Sequence, residues 1–204
     1  MKNAYYYEKR PQYVKAIEEG KALKLPFIAI RDKIIELIIR YSVKVVCAYN
    51  YPFDRRAICC LIKYLYPSIK WEYFPTKYDK QGEPLPPKKD YASFIKKHFF
   101  YNEDVIELCI MSLACETVLQ KAGYADFCEE NGFLTEKGNY QTTAEIAYRF
   151  LTGIVQFDEE HTGQDDTIIE AFIMSECYKM NKKVKSGVIY NPWRLAQKKK
   201  KKTD

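Results

Sequence analysis

The chain of 204 residues contains only two histidines, and one of them sits among residues that could do chemistry. His161 lies five residues before Asp166 in the stretch Phe157-Asp-Glu-Glu-His161-Thr-Gly-Gln-Asp165-Asp166-Thr-Ile-Ile-Glu170, an acidic loop that runs into a helical pattern over 171–180. A carboxylate at such a boundary can hold a divalent cation while a nearby imidazole takes the proton from an attacking water, which is metal-assisted hydrolysis. A helix start whose acids complement the dipole uses the same residue types. Spacing alone supports either reading. A second acid, Asp54, lies in Asn50-Tyr-Pro-Phe53-Asp54, directly after the β-branched run 42–49. That run reads as a buried strand, the segment with Pro52 as a tight turn, and 55–65 as a helix with an apolar face. Sites in α/β folds are commonly built at the carboxyl ends of strands, although an aspartate there can also act simply as an N-cap.

The elements that must position these residues follow from periodicity. Tyr13, Ala16 and Ile17 give a short amphipathic stretch before Gly20. Phe27, Ile30, Ile34, Leu37, Ile38 and Tyr41 recur at spacings of three and four and predict a helix over 27–41, with Asp32 and Glu36 on its solvated side. Residues 66–104 form a proline- and lysine-rich excursion, with an expected strand at 70–74 and a short helix around 91–99. In it Trp71, Tyr73, Phe74 and Tyr78 alternate with Lys70, Lys77 and Lys80, a composition able to stack on single-stranded bases or to cover a core edge. His98 reads as structural. The apolar run 105–120 predicts one helix, Asn131-Gly132 a helix stop, and 133–140 a turn. Thr142 and Glu145 stand at capping-box spacing before a helix that Gly153 closes. The segment Tyr190-Asn-Pro-Trp193 is expected to dock back before the lysine-rich end.

Composition limits the partners. No apolar run reaches the roughly 20 residues needed to span a bilayer, and the first residues lack a signal-peptide core, so no membrane role and a cytoplasmic location are expected. Seven cysteines at 47, 59, 60, 109, 115, 128 and 177 include no C-x-x-C pair and read as buried reduced thiols. Of the formal charge of +6, most resides in the five lysines at 198–202; the body is left near neutrality. A polylysine end adds salt-sensitive attraction to phosphate backbones, or only solubility. Residues 1–190 read as a single domain, with 66–104 inserted, and 191–204 as a tail.

Taken together, the motifs resemble the DEDDh exonucleases, the superfamily of polymerase proofreading domains, and most of all the compact DnaQ-like enzymes of phages and low-GC bacteria. Asn50-Tyr-Pro-Phe53-Asp54 after a buried strand is similar to the second motif of that family, and His161-Thr-Gly-Gln-Asp-Asp166 before a helix to its third. Both occur in the family's order, over roughly residues 5–180. The resemblance implies an α/β fold of RNase H-like type, a mixed sheet flanked by helices. It implies metal-dependent 3′–5′ removal of nucleotides, with Asp54 and Asp166 holding Mg2+ or Mn2+ in a two-metal site, His161 as general base, and Asn50 and Phe53 shaping the nucleotide pocket. Single-stranded 3′ ends, of DNA rather than RNA, would be the substrate, in the host cytoplasm for a phage-encoded protein.

The family's first motif, Asp-x-Glu on a strand before the helix at 27–41, has no counterpart here. The chain is therefore expected to lack or replace its first strands and to lose most or all activity by itself. A homo-oligomer or a partner chain would supply the missing strands. Two alternatives stay open: a catalytically inactive exonuclease-like module that binds nucleic acid or protein, and an unrelated α/β interaction protein.

Overall fold

A computed structural model describes residues 10–102, 104–157, 163–180 and 191–197. The protein is of mixed α/β class. It divides into two compact units, residues 1–43 and 44–204, a boundary that falls inside the range read from the sequence as one domain. In the first unit, α1 spans Arg10–Glu18 and α2 spans Phe27–Arg40. Asp32 and Glu36 lie at the α2 surface in ion pairs with Arg31, Lys33 and Arg40, as their helical spacing predicts.

The second unit is built on two parallel strands, β1 (Val45–Ala48) and β2 (Ile106–Cys109), with Val45 opposite Ile106 and Ala48 opposite Cys109. The antiparallel strand that a mixed sheet requires is not found among the described residues. The crossover from β1 to β2 contains α3 (Tyr51–Leu65), the excursion, α4 (Tyr91–Ile95) and a π-helical turn Lys96–Phe100. The run 105–120, expected as one helix, instead splits. Its first residues form β2, and the chain passes without a loop into α5 (Ile110–Glu116) and a 3-10 turn Val118–Gln120. A continuous apolar run suits a buried strand as well as a buried helix, and pairing with β1 decides between them.

α5 is the hub of the core. Six of its seven residues are buried, Ile110 to Cys115, and α6 (Tyr124–Glu130), α7 (Ala144–Thr152), α8 (Gly163–Lys179) and α9 (Trp193–Ala196) complete the unit. Ile169, Ile173 and Cys177, one helical turn apart, bury one stripe of α8. The cap of α7 is Thr143 rather than Thr142, its hydroxyl accepting from the Ile146 amide at 3.3 Å, while Glu145 pairs with Arg149. Gly153 ends α7 at φ 73°, a left-handed conformation that glycine adopts without a Cβ penalty. All seven cysteines are free thiols, five of them buried. Of the vicinal pair, Cys59 is buried and Cys60 exposed.

The strand expected at 70–74 does not form. The excursion closes on itself through isolated antiparallel bridges, Tyr73 with Lys89 and Tyr78 with Pro84. Pro75, Pro84, Pro86 and Pro87 have no amide to donate, so a regular ladder cannot propagate. Trp71 packs against Tyr91 and Phe94 at the root of the excursion, with Lys89 Nζ 4.2 Å from its ring centre. Tyr73, Phe74 and Tyr78 are exposed. His98 packs on Phe94 with ring centres 4.7 Å apart, and burial followed by Lys97 lowers its pKa, in keeping with a structural role.

One ion pair ties α3 to the sheet. Arg55 Nη1 donates to Glu107 Oε2 of β2 at 2.6 Å, with side-chain exposures of only 11% and 7%. Removing one partner of a buried pair leaves the other charge uncompensated, typically at about 3–5 kcal/mol. Arg55→Met is therefore expected to destabilise the chain by about that amount in a denaturant titration, and the double variant R55M/E107M to recover much of it. Equal stability of R55M and wild type would contradict the role given to this pair.

Candidate functional site

Asn50 sets the geometry at the carboxyl end of β1. It is the single residue between Tyr49 and the first residue of α3, and it takes up the left-handed conformation with φ 59° and ψ 39°. Asparagine tolerates that region better than other residues with a Cβ. Pro52 follows in the first turn of α3, where its missing amide costs nothing. The expected helix start at 55 thus moves back to Tyr51, and Asp54 is a first-turn residue of α3 rather than its N-cap.

The charge of Asp54, on α3, is felt at Glu170 of α8. Burial raises the pKa of Asp54, its own backbone amide opposing in part. Glu170 is also raised, first by burial and then by the charges of Asp54 and Asp166, while a backbone hydrogen bond from Tyr49 opposes the rise. Asp166 and Glu170 are four residues apart and so share a face of α8. β1 runs beside that face: Cys47 Sγ is 3.8 Å from Met174 Sδ, and burial followed by the charge of Glu170 raises the Cys47 thiol. Tyr49 is anchored on the other side by its hydroxyl, which donates to the Thr142 carbonyl at 2.8 Å. The charges of Asp54 on α3 and Asp166 on α8 thus both reach Glu170, on the face of α8 that β1 runs beside.

Asp166 Oδ1 is buried and finds no hydrogen-bond partner among the described residues. Oxygen-only donors of this kind match a hard divalent cation such as Mg2+ or Mn2+. Among the described residues, however, no three His, Cys, Asp or Glu side chains are drawn together closely enough to form a complete metal site. His161 lies outside the described residues. Asn50 and Phe53 line a cavity of about 330 Å³ at the start of α3, with Phe53 61% exposed. Glu170 was not singled out by motif reasoning. Its signal was the four-residue spacing from Asp166 on a helix that carries its apolar stripe elsewhere.

Comparison of the chain with protein-family models, with curated proteins and with solved structures gives no match. Among the described residues no helix is long and apolar enough to cross a membrane.

The raised carboxylates make stability depend on pH with a definite sign. In the folded chain Asp54 and Glu170 hold their protons to higher pH than in the unfolded chain. Folding is thus favoured while both states are protonated, and the advantage is lost as pH rises through the raised values. Glu170→Gln is expected to raise the unfolding midpoint at about pH 7 and to leave it unchanged near pH 3, where the wild-type carboxyl is protonated in both states. Urea titrations at the two pH values check this; an equal effect at both would contradict the charge repulsion.

Proposed function

We propose that the chain is a DEDDh-type 3′–5′ exonuclease module of RNase H-like fold, acting on single-stranded DNA ends in the cytoplasm and incomplete without further strands. The observation that carries this reading is the buried Asp166 Oδ1, without a hydrogen-bond partner among the described residues, on the face of α8 that it shares with Glu170, whose pKa is raised by burial and then by the charges of Asp54 and Asp166. In the proposal Asp54 and Asp166, joined by Glu170, hold Mg2+ or Mn2+. A divalent cation there supplies neutralisation of the phosphate charge. His161 accepts a proton from the attacking water as its oxygen bonds to the terminal phosphorus. The bond from phosphorus to the 3′ oxygen of the preceding nucleotide breaks, that oxygen takes a proton from solvent, and a nucleoside 5′-monophosphate leaves. Asn50 and Phe53 hold the departing nucleotide. Among the described residues the two strands pair only with each other, and a second copy or a partner chain would add strands and the carboxylates of the first motif at their outer edges.

A second reading, a catalytically inactive exonuclease-like module that binds nucleic acid or protein, is favoured by one observation: Asp54 and Asp166 both stand in the first turn of their helices, where acids complement the dipole without a metal. One experiment separates the two. A 5′-labelled single-stranded oligonucleotide incubated at high chain concentration with Mn2+ is expected to shorten stepwise from its 3′ end, but only slowly, because the first-motif carboxylates are absent. D166N should abolish the shortening, and His161→Ala should slow it by about 10²–10⁴-fold. Retention of the oligonucleotide without shortening would move the reading to the binding module. Neither binding nor shortening would overturn the exonuclease reading and the nucleic-acid-binding form of the module.

A further inference from the structure

The cavity beside Asn50 and Phe53 has a second wall that neither motif supplies. It opens at the carboxyl ends of both strands, where ligands bind in open α/β sheets. Besides Asn50 and Phe53 it is lined by Arg56 of α3, Met111 of α5, and Asn191 and Trp193 of the C-terminal segment. Trp193 is 43% exposed, yet its backbone is held. Gln120 Nε2 donates to the Leu195 carbonyl at 2.5 Å, and Gln197 makes two hydrogen bonds with the Tyr140 backbone, at 2.7 and 3.1 Å. Ala196, three residues beyond Trp193, is buried in the core. The tryptophan is therefore presented to the cavity by a docked helix, not left on a loose end.

The chemistry of the lining selects a ligand class. Two exposed aromatic rings, Phe53 and Trp193, offer stacking surfaces for a nucleobase. Arg56 is exposed on the helix turn next to Asp54, and no ion pair holds its guanidinium among the described residues. Its planar fork suits bidentate binding of a phosphate. Asn50 and Asn191, with φ of 59° and 56°, place amide side chains that both donate and accept at the cavity rim. A volume of about 330 Å³ lies in the small-ligand range. We propose that this cavity binds a nucleoside monophosphate, its base stacked on Phe53 and Trp193 and its phosphate on Arg56, so that the docked C-terminal segment completes the nucleotide site. Only the origin of that nucleotide, as the product of the neighbouring carboxylates, rests on the exonuclease reading; the binding itself does not.

The chain has two tryptophans, so W71F leaves Trp193 as the only reporter. In a W71F/D166N background, where the carboxylate site is disabled, titration with deoxyadenosine monophosphate without divalent cations is expected to quench the tryptophan emission saturably. Arg56→Gln and Phe53→Ala should each raise the dissociation constant by about tenfold or more, equivalent to about 1.4 kcal/mol. Deoxyadenosine should bind more weakly than the monophosphate, and inorganic phosphate should not quench. Equilibrium dialysis of the labelled nucleotide against the unmodified chain and against W193A provides a second measurement in case W71F misfolds; retention by the first and loss by the second is expected. Absence of saturable binding, or binding unchanged in R56Q, F53A and W193A, overturns the proposal without bearing on the oligonucleotide assay.

Discussion

The second unit depends on one backbone constraint, the left-handed turn at Asn50 that converts β1 into α3 without an intervening loop. A residue with a Cβ enters that region at a cost of about 1–2 kcal/mol, least for asparagine. Because the helix starts at once, four consecutive side chains point in different directions about 100° apart. Phe53 and Arg56 line the cavity, Asp54 meets the charge of Glu170, and Arg55 reaches Glu107 of β2. A longer loop would free this turn and blur all of these directions together.

The Arg55–Glu107 pair and the core below it turn that local geometry into a rigid one. The strands are only four residues each, and a two-stranded parallel sheet has little stability of its own. Support comes instead from α5, buried on nearly every side, and from the α8 stripe packed against it. Glu107 also lies beside the buried Tyr51, whose phenol is held well above its ordinary pKa by burial and then by Glu107. The rigid frame also buries Asp54 and Glu170 in part, which raises the pKa of each. Carboxyls with pKa values raised by burial and neighbouring charge cluster at functional sites.

Much of this frame was legible from periodicity and punctuation. β1, the turn with Pro52, α2, α7 with its closing glycine, and the docking of Trp193 follow from residue types at fixed offsets. The errors have physical causes. Val105 to Cys109 reads as helix because it runs directly into the apolar residues of α5, and only pairing with β1 makes it a strand. The strand expected at 70–74 fails because the opposite arm is rich in prolines. The α7 cap shifts by one residue because adjacent threonines offer the same hydroxyl. At the site, Asp54 and Asp166 were legible as acids at element boundaries. Glu170 and Arg56 were not, since their roles arise from which helix faces meet across a long sequence separation.

The central claim is that the carboxylates of α3 and α8 form one cation site. Titration of the chain with Mn2+, followed by the loss of the free-ion electron paramagnetic resonance signal, tests it most directly. The account predicts saturable binding in the wild-type chain that is strongly weakened in D54N and equally in D166N. Binding that survives unchanged when either aspartate is replaced, or that never saturates, would show that the two helices do not share a metal and would contradict it.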